Sequence, residues 1–401
     1  MAGVKGFASG LRRGAAWLFL ARFGAHGLGL VFTVIAARRF APADFGQFTF
    51  FASLLLIGNT FTTFGTDTLL LRETARQGLL PELIQRTFTL QVVLSGVWWL
   101  GAVGLRAEPA LLVLLLALFP LVLISVYSAL FRALNRMDLF WALNFVSGGT
   151  QVVAVVLARD IFTLCAYFTV GQALGAAVAI GLYSASLPRL RLLPFLDVRP
   201  LLRLTLPFAA LSTLGMLSQR LSILTVTVWL GASAAGLLST STRILEALKL
   251  GHYALLGAWL PNLARGLPDA AQTSRRVLLS LLAGSFALAL AVTWLAQPLL
   301  ALLFGAKYLS AVGLLRVVVW CLVPYTVSAF LSVEFVVQGY EARLAIVIAI
   351  SLAASLVLYS LLVERFGLQG ATLAMLAAEL LQAFLMVCFR FTIRRHHDRP
   401  H

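Results

Sequence analysis

The densest ionisable chemistry in the chain lies in one run of residues, Ser239-Thr240-Ser241-Thr242-Arg243-Ile244-Leu245-Glu246-Ala247-Leu248-Lys249-Leu250-Gly251-His252. On a helix, Arg243 and Glu246 stand at i, i+3, as do Glu246 and Lys249, so the three can form a chain of ion pairs. One cation is then left in excess. Upstream, Arg220 sits among Ser218, Gln219 and Ser222, and Thr213, Arg220 and Thr227 recur every seven residues. Arg22 is followed by His26 one turn later, among Gly24, Gly27 and Gly29. Such a set suits an anion. The arginine fork donates two parallel hydrogen bonds to phosphate oxygens and keeps its charge when desolvated, whereas lysine is a point charge. A nucleophile–base pair, a glycine-rich phosphate loop and a metal-ligand spacing are all missing from the sequence. Cys165, Cys321 and Cys388 fall far apart in apolar runs, which argues against a disulfide or metal site. No cofactor is expected.

These residues sit in a chain of 401 that is 61% hydrophobic and 11% charged, with a mean hydropathy of +0.95. Soluble domains average about 25% charged residues, so a soluble, disordered or coiled-coil protein is excluded. A polytopic integral membrane protein remains. Segments of about 20 apolar residues are needed to cross the hydrocarbon core. Twelve are present, near 15–36, 45–66, 84–105, 110–131, 139–158, 161–183, 205–230, 234–257, 276–297, 310–334, 344–363 and 368–390. All are expected to be helices, since a barrel would show short alternating segments. No cleavable signal peptide is evident in the sequence.

The formal net charge of +16 would suggest nucleic acid in a soluble protein. Here it follows the loops. With the N-terminus in the cytoplasm, twenty Lys and Arg residues fall on the cytoplasmic side and six on the other. The bias places both termini inside, and the charge is an address rather than a nucleic-acid surface. His396, His397 and His401 read as a solvated tail.

Five basic residues are left within the spans: Arg22, Arg220, Arg243, Lys249 and Arg316. A charge at the bilayer centre costs about 2.5–3.5 kcal/mol, so it should face a cavity or a partner. Arg22 lies ~10 Å deep by helical rise, where lumen binding competes with snorkelling to the interface. His26 reads as its packed neighbour. Arg220 lies ~15 Å from the outer end of its helix, out of reach of either interface, with no obvious permanent carboxylate partner. Arg243, Glu246 and Lys249 read either as a lumen cluster or as a self-satisfied structural triad. Arg316 reads as an anchor at the outer interface and Glu334 as solvated at the inner end. Glu379, with Gln382 near it, takes a proton or bonds a neighbouring helix. Asp67 is a cap or part of a cavity wall.

Two turns repeat. Phe40-Ala41-Pro42-Ala43-Asp44-Phe45-Gly46 is matched by Leu230-Gly231-Ala232-Ser233-Ala234-Ala235-Gly236 at an offset of 190. Leu157-Ala158-Arg159-Asp160-Ile161 is matched by Leu362-Val363-Glu364-Arg365-Phe366 at 205. Both matches place the same turn between the same pair of helices. They predict two six-helix lobes of equal orientation, 1–190 and 191–401, the second with a short basic cytoplasmic tail. This is the parallel-repeat plan of transporters that rock about a central site.

The segment Ala36-Ala37-Arg38-Arg39-Phe40-Ala41-Pro42-Ala43-Asp44-Phe45-Gly46-Gln47-Phe48 resembles the first-loop signature of polysaccharide-repeat-unit flippases. These belong to the multidrug/oligosaccharidyl-lipid/polysaccharide (MOP) exporter superfamily. Arg72-Glu73-Thr74-Ala75-Arg76, Gly231 to Gly236, Phe304-Gly305-Ala306-Lys307-Tyr308 and Arg365-Phe366-Gly367-Leu368-Gln369-Gly370-Ala371 are similar to later signatures, so the resemblance runs from about 12 to 390. It implies an all-α, V-shaped pair of six-helix bundles in a bacterial-type inner membrane. It further implies arginines on helices 1, 7 and 8 with an acidic neighbour, matched here by Arg22, Arg220 and Arg243 with Glu246.

The leading expectation is a non-enzymatic flippase that moves an anionic, polyprenyl-diphosphate-linked oligosaccharide from the inner to the outer leaflet by alternating access. Its partners would be that lipid, the surrounding membrane lipids, and a polysaccharide polymerase and glycosyltransferases. Substrate binding falls to Arg22, Arg220, Arg243 and Lys249, supported by Glu246, His26, Arg316 and Glu379. Coupling to H+ or Na+ stays open beside transport driven by the membrane potential. A MATE-like drug or cation antiporter is the alternative within the superfamily, though the spans are richer in bases than acids. A membrane-embedded glycosyl- or acyltransferase is the alternative from another class. It would need carboxylates or histidines in a sizeable loop, and the longest loop, about 184–203, holds only Asp197.

Overall fold

A computed structural model describes residues 24, 27–186, 197–264 and 270–397. The described chain is helical, without strands. Residues 27–39 form α1. Then follow α2 (Pro42–Thr63), α3 (Thr66–Gln77), α4 (Pro81–Gly104), α5 (Pro109–Leu115), α6 (Leu118–Ala133), α7 (Met137–Leu157) and α8 (Ile161–Ser186). The remainder is α9 (Arg199–Leu230), α10 (Ala232–Ala264), α11 (Ala270–Phe304), α12 (Val312–Val318), α13 (Leu322–Val337) and α14 (Glu341–His397). Proline opens α2, α4 and α5, where its missing N–H costs no intrahelical bond.

Eight described helical stretches are long and apolar enough to cross a membrane, and the α2–α3 pair, bent by 44°, makes a ninth. Of the three that remain of the expected twelve, the first lies partly outside the described residues and two are hidden by features of their helices. Helix α10 is 33 residues long but carries the charged run. Helix α14 is two helices merged across Gly367, whose φ of 56° and ψ of −133° break the ladder. The exposed side chains of these spans include Val97, Trp294 and Leu302, at 57%, 80% and 72% exposure. Apolar surface of that extent has lipid as its solvent.

The chain forms two compact units. One holds α1 and the described part of residues 51–216; the other holds residues 40–50 with the described part of 217–401. The first unit packs Leu70, Ile84, Val126, Leu130, Phe131, Leu143 and Tyr183 of α3, α4, α6, α7 and α8 into one core. Arg39 ties α1 to the end of α7 by donating to the carbonyls of Val156 at 2.6 Å and Ala158 at 3.0 Å, which a helix C-terminus leaves open. Asp160 then starts α8. Its Oδ1 accepts from the Thr163 N–H at 2.7 Å, and the Thr163 hydroxyl accepts the Asp160 N–H at 3.0 Å. The Thr163 N–H holds the Asp160 carboxyl below the usual carboxylate range.

In the second unit the matched turns meet. A Cβ built on Gly46 would run into the Ala232 carbonyl oxygen, and one on Gly236 into that of Pro42. Only glycine lets the starts of α2 and α10 approach backbone to backbone. Lys307 fastens the same corner by donating to the Phe40 carbonyl, and Tyr308 sets its ring edge-on to Phe45, with centroids 6.1 Å apart. Gly236→Val should therefore lower the melting temperature of the purified protein by several degrees, whereas Gly215→Ala, with open space around it, should leave it unchanged. Equal melting of Gly236→Val and the parent chain would show that this packing contributes nothing to stability.

Candidate functional site

Helices α9 and α10 are joined by the single residue Gly231, whose φ of 85° turns the chain back into the membrane. Arg220 lies 11 residues before this turn and Arg243 lies 12 after it. At 1.5 Å per residue both stand about 16–18 Å from it, at equal depth. The shared core of Leu221, Ile223 and Val226 with Ala235, Leu238 and Leu245 sets the register between the two helices.

Glu246 bridges the two arginines. Its Oε1 accepts from Arg220 Nη1 at 3.3 Å and its Oε2 from Arg243 Nη1 at 2.9 Å. The Arg220 and Arg243 side chains are 13% and 29% exposed, and Glu246 40%. A carboxylate open to that degree midway along a 33-residue helix needs water rather than hydrocarbon beside it. Arg220 Nε is buried with no hydrogen-bond partner among the described residues.

This arrangement corrects two sequence expectations. Arg220 does have a carboxylate partner, and Glu246 links Arg220 to Arg243 rather than Arg243 to Lys249. Lys249 turns away to Glu379 on α14, Nζ to Oε1 at 3.0 Å, and lies 4.0 Å from the centroid of the Tyr325 ring. The pair is 16% and 18% exposed. Next to it, His252 Nε2 shares a 2.7 Å hydrogen bond with Ser285 Oγ, which contacts Thr326 Oγ1, also at 2.7 Å. Among the described residues, three cations thus face two carboxylates, with one positive charge in excess. The hydroxyls around them mostly serve their own helices: Ser239, Thr240, Thr242 and Thr227 donate to backbone carbonyls one turn back.

The other expected residues divide. Arg22 and His26 lie outside the described residues, as do the side chains of His396, His397 and His401. Arg316 is exposed in the last turn of α12. Glu334, expected to be solvated, is buried and pairs with Arg390 at 3.0 Å, because the return of α14 brings a cation to it. Asp67 bonds sideways from the first turn of α3: its Oδ1 accepts from Ser125 Oγ at 2.6 Å and Gln91 Nε2 at 3.3 Å. Sequence spacing missed the partners of Lys249, Glu334 and Asp67. The one available signal was that each is an acid or base in or beside an apolar span, where an unpaired charge is costly.

The model of a family described as "Polysaccharide biosynthesis protein" matches residues 11–267, more than half of the chain. No curated protein matches the sequence. Among solved structures, the lipid II flippase MurJ in an inward closed conformation aligns with a TM-score of 0.80 at 13% identity, over 94% of this chain and 87% of its own. An inward-facing MATE multidrug-resistance transporter of the MOP superfamily aligns at 0.76 and 14% identity, over 94% and 96%. A MOP superfamily transporter from Pyrococcus furiosus, described as having a binding pocket of reverse polarity, aligns at 0.67 and 13% identity, over 97% and 96%. At such identities the likeness concerns the fold.

Proposed function

Because the chain belongs to the polysaccharide biosynthesis protein family and has the fold of MOP superfamily transporters, we propose that it is a flippase for a polyprenyl-diphosphate-linked oligosaccharide. The observation that carries this reading is the cationic α9–α10 cluster: two arginine forks at one depth on a carboxylate that is 40% exposed, with one positive charge in excess of the carboxylates paired there among the described residues. A diphosphate headgroup fits it in charge and in hydrogen-bond geometry. The lipid tail stays in the bilayer while the headgroup passes. A cationic drug finds no welcome there, since both carboxylates are already held by cations. Transport needs no enzymatic step.

The direction is inner to outer leaflet, in a cytoplasmic membrane with both termini inside. An inside-negative potential then assists, at about 2.3 kcal/mol per charge per 100 mV, so a net negative headgroup is driven outward without a coupling ion. Partner glycosyltransferases would load the substrate and a polymerase would consume it.

Purified protein in liposomes should move a polyprenyl-diphosphate oligosaccharide between leaflets, and leave an uncharged glycolipid of the same sugar in place. Equal movement of both lipids would overturn the reading. Topology has its own test: a reporter fused after Arg199 should read cytoplasmic and one after Lys307 extracytoplasmic, given the twenty-to-six loop bias. Both reporters on one side would sink the assigned orientation.

A further inference from the structure

We infer that Glu246 is a built-in competitor for the anion site, occupying the two arginines when no substrate is present and retaking them to expel the headgroup. This rests on the diphosphate reading of the site and adds how the site empties. A carboxylate with one oxygen on each of two guanidinium groups has the geometry of two oxygens of one phosphate.

Several observations separate Glu246 from a merely structural ion pair. Its side chain is 40% exposed, against 18% for Glu379 of the neighbouring pair, which the Tyr325 ring helps to enclose. Its contact with Arg220 is long, at 3.3 Å. Arg220 keeps a buried Nε without a partner among the described residues, so the fork has donor capacity that the carboxylate leaves unused.

The exchange explains how a site able to hold a diphosphate can let it leave. Two partly buried arginines without a competitor would bind the headgroup tightly and release it slowly. With Glu246 present, the headgroup enters on its greater charge, and the tethered carboxylate, at high effective concentration, lowers the barrier to exit.

The test uses purified full-length protein and farnesyl diphosphate as the probe, with inorganic pyrophosphate as a second probe of the headgroup alone. Glu246→Gln keeps the shape and removes the charge. It should bind both probes on the order of tenfold more tightly, while the turnover of polyprenyl-diphosphate oligosaccharide in liposomes falls severalfold, with kcat and KM dropping together. Glu246→Asp, one methylene shorter, should shift in the same direction by less, and it stands in should the glutamine variant not fold. Binding equal to or weaker than that of the parent chain, in whichever variant folds, overturns the inference. Arg220→Gln separates this from failure of the site itself. If Arg220→Gln loses affinity but Glu246→Gln gains none, the competitor role fails and the anion site stands. If Arg220→Gln binds as the parent does, the diphosphate reading falls.

Discussion

Replacing Arg220 by alanine should reduce outer-leaflet delivery of lipid-linked oligosaccharide to the background of cells lacking the protein, while Arg220→Lys should retain a measurable fraction. The charge balance of the cluster gives the reason. Arg220, Arg243 and Lys249 face Glu246 and Glu379, leaving one positive charge. Alanine at 220 brings the balance to zero, and Glu246 is then held by Arg243 alone, so the cluster no longer attracts an anion. The loss of one charge-assisted hydrogen bond costs about 1.5–3 kcal/mol, or one to two orders of magnitude in headgroup affinity. Lysine restores the balance but not the fork, so it recovers attraction without the paired hydrogen bonds.

The comparison must be made at matched amounts of folded protein, because Arg220 is also part of the ion pair that seats α9 on α10. Arg243→Ala removes the same unit of charge from the other side of Glu246 and should behave alike. Normal delivery by Arg220→Ala would remove the central residue of the proposed site.

Much of this architecture was legible from the chain because the bilayer imposes a length. An apolar run such as Leu111-Leu112-Val113-Leu114-Leu115-Leu116 has to span or be buried, and the break at Gly367 fell between the eleventh and twelfth expected helices. The glycine turn at 231 showed as the repeat of the turn before Gly46, and the two turns prove to be in contact. Partner choice was not legible. Spacing arithmetic sees along one helix, so it joined Glu246 to Lys249 at i, i+3. The structure instead takes Lys249 to Glu379, 130 residues on, and Glu334 to Arg390, 56 residues on. Both choices depend on how α14 returns across α10 and α13, which no local pattern encodes. For the same reason Arg220 was recognised as too deep for either interface while its carboxylate was missed: Glu246 reaches it only because a one-residue turn sets two helices at equal depth.

The pair of Lys249 with Glu379 carries the second large expectation. Lys249→Ala should destabilise the protein by about 3–5 kcal/mol, because it leaves a carboxylate that is only 18% exposed without its counter-charge. Glu379→Ala should cost a similar amount by stranding the ammonium. Removing both at once strands nothing, and the double variant should recover most of the loss, which thermal unfolding in detergent can measure as a coupling energy. If the losses of the two single variants simply add in the double variant, the pair carries no such coupling. Transport then distinguishes structure from substrate binding. Lys249 and Glu379 cancel each other, so their joint removal leaves Arg220 and Arg243 against Glu246, with the excess positive charge intact. A Lys249→Ala/Glu379→Ala protein that folds should therefore still deliver lipid-linked oligosaccharide to the outer leaflet, at a rate within a fewfold of the parent chain. Folded double variant without transport would instead place Lys249 on the headgroup itself.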